Sequence, residues 1–588
     1  MKIKESIEKI IGIIFNNIGK FKLVYQIIFG VFIGILSTYL YTHQIFEKIE
    51  LLTLDRRFRL RPRIESSPQI IHVDMSEDSI QAIGRWPWPR SWHAAITSIL
   101  SEYKPKMIIY DVVFSEKETE ENDLVFEEAI KQAGNVYLGL LYNTATTDYR
   151  DLYKGGGIKS VLFPLERLSA AAKGIGHLNA MPDTDGTIRR IPPVVEYKGK
   201  KTFHISIRSS LDLLGVKEDD VRLNSENNIL EIKNKDGKLI QIPLDRDNQL
   251  IINWIDKWGK EFKHFSYIDV ITSYNSIKEG KAPIIDLNIF KDKILLIGLT
   301  ASALVDIKPT PIQNAYPAVG ANAAVVNSFI TGDFIKMHKA KDEIFIIFAL
   351  SILVSLLLFR VRPINGMMLT ILIVISYITL ATMTFNIYKT WVTIAYPVGS
   401  VLISYVLIAL YTQVAATVER NKLFKQATRD GLTNLYNVRH FNLLIEAEFR
   451  MLKLNPNKKA AVIMSDIDNF KKINDTHGHQ VGDLILKEIA KIFQSSVRQV
   501  DIVARYGGEE FVVLLPGAGK KDATDVAERI RVSVENKKFK FGDNFYTATV
   551  SFGVNEYTND ATKDDIIRKA DEALYKAKTT GKNRVVIA

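Results

Sequence analysis

A chain of 588 residues is too long for one hydrophobic core, and about three or four folding units are expected. Hydrophobic residues make up 47% and charged residues 24%, with a mean hydropathy of +0.02, which excludes a uniformly soluble composition and points to apolar segments inserted between soluble ones. The absence of cysteine excludes disulfides, thiol catalysis and zinc–thiolate sites, and the net charge of +11 is accounted for by lysines and arginines beside apolar runs, so no nucleic-acid partner is expected.

Residues 1–22 form a basic N-terminal segment with Lys2, Lys4, Lys9, Lys20 and Lys22, followed by an almost uncharged apolar run over 23–41. This is the expected flank of a first membrane helix entering from the cytoplasm, assigned to 23–44. A cleaved signal peptide fits less well, because the run is long for one and no small-residue cleavage site follows. Three further apolar runs fall within 341–416, with helices predicted at about 344–360, 364–385 and 391–414. Arg360 and Arg362 lie in the first link and Lys389 alone in the second, so the first link is predicted inside. Four crossings then place residues 45–340 outside and everything after about 417 in the cytoplasm.

Strand-like runs at 69–73, 106–114 and 293–298 alternate with amphipathic stretches such as 92–103, which predicts an α/β external domain with a largely buried sheet. Asp55, Arg56, Arg57, Phe58 and Arg59, then Trp86, Pro87, Trp88, Pro89 and Arg90, and later Gly320, Ala321, Asn322 with Phe329, Ile330, Thr331 and Gly332, carry a resemblance to the second type of CHASE domain, an extracellular sensory module. The resemblance covers about half of the chain and implies an external stimulus, a small ligand or a protein that the sequence does not identify. The two tryptophans spaced by prolines read either as a stacking surface for a ligand or as aromatics packed in a rigid turn. Asp74 and Asp111 each end an apolar strand, a place for functional groups in open α/β sheets or simply for a turn.

The last membrane helix continues through 417–429 without glycine or proline as a signalling helix, where Leu410, Val414, Thr417, Asn421 and Phe424 follow a four-three spacing. In the final domain, 430–588, a buried strand is predicted over 460–464, with Asp466 and Asp468 at its end. An amphipathic helix with Val481, Ile485, Ile489, Ile492 and Phe493 follows. Strands over 502–506 and 511–515 then flank Gly507 and Gly508, a β-hairpin whose glycines are expected to permit positive φ and to leave room for a phosphate. Asp466 and Glu509 therefore meet at neighbouring strand ends, where hard oxygen ligands suit magnesium-dependent phosphoryl transfer.

Gly507, Gly508, Glu509, Glu510 and Phe511, with Asp430, Leu432, Thr433 and Leu435 upstream and Asn474, Asp475, His477, Gly478, His479, Gly482 and Asp483 between, resemble the GGDEF family of diguanylate cyclases. The match continues through Ala570, Asp571, Ala573, Leu574, Tyr575, Ala577, Lys578, Gly581 and Asn583. The resemblance implies a palm-like α+β fold with a mainly antiparallel sheet and the reaction of two GTP to cyclic di-GMP and two pyrophosphates. One GTP is held by each domain of a homodimer in this reaction. The implied metal ligands are Asp466, the carbonyl of Ile467 and Glu509, holding two Mg2+ per site, with Mn2+ as a substitute. Glu509 is also the implied base, Lys471 the second catalytic residue, and Asn474, His479, Asp483, Lys578 and Lys582 the implied GTP contacts.

Arg498 and Asp501 form the RxxD pattern that in this family binds product as an inhibitory site, with Arg529 as a secondary contact. Lys582 stands where arginine is common, replacing a two-pronged phosphate contact with a point charge. Asn434 stands where glycine is common, and Asn437, Val438 and Arg439 replace the usual Asn-Arg-Arg. The implied location is the inner membrane of a bacterium. The competing reading is a catalytically inactive cyclic di-GMP receptor or a dimerisation module, against which the intact Asp466, Lys471 and Glu509 argue.

Overall fold

The computed structural model describes residues 23–588 apart from 146–148, 235–236, 302–307, 456 and 559–560. The basic segment 1–22 lies outside the described residues. The chain divides into two compact units, Met1–Leu410 and Tyr411–Ala588.

In the first unit, helix α1 (Leu23–Thr42) leads into α2 (Glu47–Leu60). A seven-stranded sheet follows, built from β1 (Ile70–Met75), β2 (Met107–Asp111), β3 (Val136–Thr144), β4 (Ile158–Leu162), β5 (Gly174–His177), β6 (Lys263–Ser266) and β7 (Ile294–Leu299). The spatial order is β6-β1-β7-β2-β3-β4, with β5 also pairing with β3. All pairings are parallel except β3 with β4. Every residue of β1 is buried, which explains why these strands read as continuous apolar runs: helices cover both faces of such a sheet. Two of those helices are α3 (Arg90–Glu102), amphipathic as its sequence predicts, and α4 (Val319–Thr331). Trp88 lies buried in the core beside Tyr267, with its indole N–H donating to the Gly84 carbonyl at 2.9 Å, so it packs a turn.

Helices α5 (Ala340–Leu358), α6 (Pro363–Tyr388) and α7 (Ala395–Thr428) follow. Among the described residues three helices, α1, α6 and α7, are long and apolar enough to cross a membrane, whereas α5 carries Lys341, Asp342 and Glu343 in its first turn. The Asp55 to Arg59 run on α2 explains itself in polar contacts. Arg57 pairs with Glu50 at 2.9 Å and donates to the Val392 carbonyl at 2.7 Å, while Glu50 accepts from the Trp391 indole and from the amides of Ile394 and Ala395. Asp55 pairs with the buried Arg189 at 2.7 Å, and Arg189 also meets Asp183 and Asp185. Burying these charges is tolerable because each finds partners with good geometry.

The second unit contains a six-stranded sheet: β8 (Tyr436–Asn437), β9 (Ala460–Ile467), β10 (Ile502–Arg505), β11 (Glu510–Pro516), β12 (Val550–Glu556) and β13 (Val585–Ile587). Its order is β8-β10-β11-β9-β12-β13, antiparallel through the three central ladders and parallel at both ends. Alternate residues of β9 enter two cores. Ala461, Ile463 and Ile467 join the core of α9 (Phe470–His477), α10 (His479–Ser495) and α11 (Lys520–Glu535). Ala460, Val462 and Met464 join the core of α8 (Val438–Leu454) and α12 (Lys563–Thr579). Asn437 caps α8, accepting from the His440 amide at 2.9 Å, so this departure from the family pattern keeps a working N-cap. Asn434 has φ 58, the left-handed region in which asparagine is the best replacement for glycine.

Candidate active site

The hairpin β10–β11 brings the acidic groups together through register. Asp466, two places beyond Met464 on the α12 face of β9, lies opposite Glu510, and the Ile467 amide donates to the Glu509 carbonyl at 3.3 Å. The connection closes through the amides of Tyr506 and Gly507, which both donate to the Glu510 carbonyl, at 2.8 and 3.3 Å. Neither Gly507 nor Gly508 has positive φ, which corrects the expectation of a left-handed turn. The glycines serve space instead. A Cβ on Gly507 would strike the Glu510 carboxylate, whereas one on Gly508 would meet nothing within 4 Å. The Gly508 backbone therefore faces an open position next to the acids.

Opposite the acids stands Lys578, whose Nζ is 2.6 Å from Asp466 Oδ2. Its placement follows from packing: Ile566, Ala570, Ala573, Leu574 and Ala577 bury one side of α12, and Gly553 on β12 lets the helix backbone approach the sheet. Burial raises the pKa of Asp466 against the opposing pull of Lys578. Glu509 and Glu510 are also raised, first by burial and then by the Asp466 charge. A cluster of carboxylates that resist ionising together fits a divalent cation, which would relieve that repulsion.

Two residues to which the sequence assigns no role in the site shape it. Arg505 donates to the Gly508 carbonyl at 2.6 and 3.1 Å and to Asp430 at 3.2 Å, tying the signature turn to the start of the domain, where Asp430 also accepts from Thr433. Asp468 accepts from Ser551 and Thr549 at 2.7 Å and from the Asn583 amide at 3.1 Å, and so holds the left-handed pair Lys582 and Asn583. Lys582 Nζ donates to Asn469 Oδ1 at 2.5 Å, directly after β9. Arginine at 505 is suggested by its place beside the glycines; Asp468 is legible as a strand-ending acid next to Asp466, but its hold on residues 582 and 583 depends on contacts far along the chain.

The remaining predicted residues fall in two groups. Asn474 on α9 packs its amide oxygen against Gly482 on α10, where a Cβ would collide with it, and His479 and Asp483 occupy that same first part of α10. Lys471 is exposed in the first turn of α9. Arg498 and Asp501 share the loop after α10, the Arg498 amide donating to Asp501 at 2.7 Å, and Arg529 reaches that loop through the Ser496 carbonyl at 2.6 Å.

Residues 28–357, more than half of the chain, match the model of the CHASE2 domain. The chain belongs to the CHASE2 family. In this CHASE2 protein residues 427–584 match a second model, that of the diguanylate cyclase GGDEF domain, and contain the whole hairpin site. Diguanylate cyclase A of Treponema denticola is 40% identical over 178 residues, 30% of this chain and 48% of that protein. The response regulator PleD of Caulobacter vibrioides is 40% identical over 163 residues, 27% of this chain and 36% of that protein. The CHASE2 protein thus spans at most about half the length of these relatives. The crystal structure of the GGDEF domain of DgcB from Caulobacter crescentus in complex with c-di-GMP is 33% identical, covering 27% of this chain and 95% of that one with a TM-score of 0.27.

Proposed function

We propose that this CHASE2 protein is a membrane-embedded diguanylate cyclase that makes cyclic di-GMP from two GTP under control of its external domain. The observation that carries the reading is the convergence of Asp466, Glu509 and Glu510 on Lys578 beside the open backbone of Gly508. Such a site needs a substrate with concentrated negative charge and a metal to share it.

Asp466, the Ile467 carbonyl and Glu509 would hold two Mg2+, or Mn2+ in their place; when bound, the metal neutralises phosphate charge and makes the attacking hydroxyl more acidic. Lys471, Lys578 and Lys582 bind the triphosphate and oppose the charge that grows on it. Asn474 and Asp483 read the guanine edge, whose N1 and N2 donate while O6 accepts, and His479 contacts the nucleoside. The 3′-hydroxyl oxygen of one GTP bonds to the α-phosphorus of the other, the bond to pyrophosphate breaks, and the hydroxyl proton passes to Glu509. A second displacement in the opposite sense closes the ring, so a homodimer with one GTP in each domain is part of the reaction. The antiparallel centre of the sheet, with its flanking helices, supports a palm-like domain for this chemistry. Product returning to Arg498 and Asp501, with Arg529 alongside, slows the enzyme.

Four crossings put 45–340 outside a bacterial inner membrane and 430–588 in the cytoplasm, with 417–429 as the connecting helix. Aromatic and aliphatic contacts support α5 as the fourth crossing. Ile347 near its start clusters with Tyr41 and Tyr396, while Phe359 just past its end meets Phe29 of α1 edge-on at 5.8 Å, so α5 runs antiparallel to α1 over most of its length. Reporter fusions test the topology: a cytoplasmic reporter active at residue 200 contradicts it. For the chemistry, Glu509→Gln keeps size but removes charge and base. Turnover should fall at least about a hundredfold with cyclic di-GMP binding retained, and unchanged turnover refutes the assignment.

A further inference from the structure

The external unit contains a second polar cluster that the cyclase reading does not use. Among the described residues, one group of three metal-ligating side chains has its donor atoms within 4.8 Å of one another: His72, Asp74 and His264. Its geometry follows from the parallel pairing of β1 with β6. His264 is the direct partner of His72, and Asp74, two residues further along β1, projects from the same face. The two imidazoles stack with centroids 4.6 Å apart and planes 6° from parallel, and His264 Nδ1 lies 2.8 Å from Asp74 Oδ2.

His72 is 0% exposed, and neither of its ring nitrogens has a hydrogen-bond partner. Asp74 Oδ1 and His264 Nε2, both buried, also lack one. Around them stand aromatic rings: Trp258 lies 5.0 Å from His72 and 4.5 Å from His264, and Phe262 lies 5.6 Å from His72. A buried polar atom without a partner costs about 1–3 kcal/mol, so the two unpaired nitrogens of His72, beside the Asp74–His264 pair, call for a partner.

We propose that His72, Asp74 and His264 form a binding site for a divalent transition-metal ion, with Zn2+ the ion that this donor set fits. Two imidazole nitrogens and one carboxylate oxygen suit zinc and its neighbours, whereas magnesium and calcium prefer oxygen alone. Ligation requires an imidazole nitrogen free of a competing hydrogen bond, and the fully buried His72 offers two. Asp74 and His264 keep 12% and 16% of their side chains exposed, which gives the ion a way in. Three protein ligands leave a fourth position on zinc for water. Glu261 lies beside His264, its carboxylate 3.8 Å from Nε2 and accepting from the Tyr316 hydroxyl at 2.9 Å. Because β6 is the edge strand of the sheet, a bound ion fastens that edge to β1.

The test uses the full-length protein purified in detergent, stripped with chelator, exposed to Zn2+ and then dialysed against metal-free buffer. Wild type is expected to retain about one zinc per chain. His72→Gln and His264→Gln are expected to bind at least about tenfold more weakly, whereas Glu509→Gln, altered only in the other unit, should retain zinc like wild type. His264 is partly exposed, so His264→Gln decides the matter if the fully buried His72 variant fails to fold. Co2+ provides an independent signal: wild type should show the visible absorption of a low-coordinate nitrogen and oxygen site, and His264→Gln should not. Wild type that retains no zinc, or a folded His264→Gln that retains as much as wild type, overturns the proposal.

Discussion

Both sheets bury polar groups, in opposite electrostatic settings. In the parallel sheet of the first unit, His72 sits among apolar and aromatic neighbours as a neutral ring, its charge suppressed by burial. In the antiparallel sheet of the C-terminal unit, Asp466, Glu509 and Glu510 crowd around one lysine at a hairpin end, each with its pKa raised first by burial. A sheet interior tolerates a titratable group by keeping it neutral. A strand end beside a glycine turn can instead gather several acids whose charges oppose one another, a setting that favours a cation. The first arrangement favours a fixed ligand shell, and the second favours charged substrates that come and go.

Three substitutions sharpen this contrast. The largest effect is expected from Gly482→Ala, which buries a methyl where the Asn474 amide oxygen now lies. Displacing that amide should raise the KM for GTP about tenfold, a change of about 1.4 kcal/mol, with a smaller effect on kcat. An equal fall in kcat would mean that Asn474 acts on the chemical step. Next in size, Arg498→Ala should relieve inhibition by added cyclic di-GMP while leaving initial turnover nearly intact, because Arg498 lies on the loop after α10, away from the acids. Equal inhibition of variant and wild type would remove the product site from that loop.

The smallest effect concerns stability without metal. A carboxyl whose folded pKa is raised binds protons more tightly folded than unfolded, so its ionised form opposes folding, and the opposition is relieved as pH falls through that raised pKa. Glu509→Gln should therefore melt a few degrees higher than wild type at neutral pH in chelator, and the gain should shrink in acid. Added Mg2+ should stabilise wild type more than the variant. A variant that melts lower in chelator would show that the acids are not repelling one another.

How much of each region is legible in the sequence follows from the distance between partners along the chain. Asp466, Glu509 and Lys578 were readable because a strand end, a hairpin turn and one helical stripe fix them locally. Ile566, Ala570, Leu574 and Ala577 form the buried stripe of α12 that sets Lys578, and Ile567 packs partly buried against the same core. Glu510 stands in the signature beside Glu509 with no role implied for it, and the closing turn brings its carboxylate against Gly507. Asp74 was visible only as a strand-ending acid. Its partner His264 is 190 residues away, and only the parallel register of β1 with β6 brings the two together. The glycines of the signature are not left-handed as the sequence suggests, since a turn that three residues close needs no positive φ.

The most direct measurement incubates the purified wild-type protein with GTP and Mg2+, and follows product formation and product binding on the same sample. Cyclic di-GMP and pyrophosphate should appear in a ratio of about one to two, with turnover that stops when chelator is added. Protein that binds cyclic di-GMP at Arg498 and Asp501 but makes none from GTP would contradict the enzyme and leave a receptor in its place.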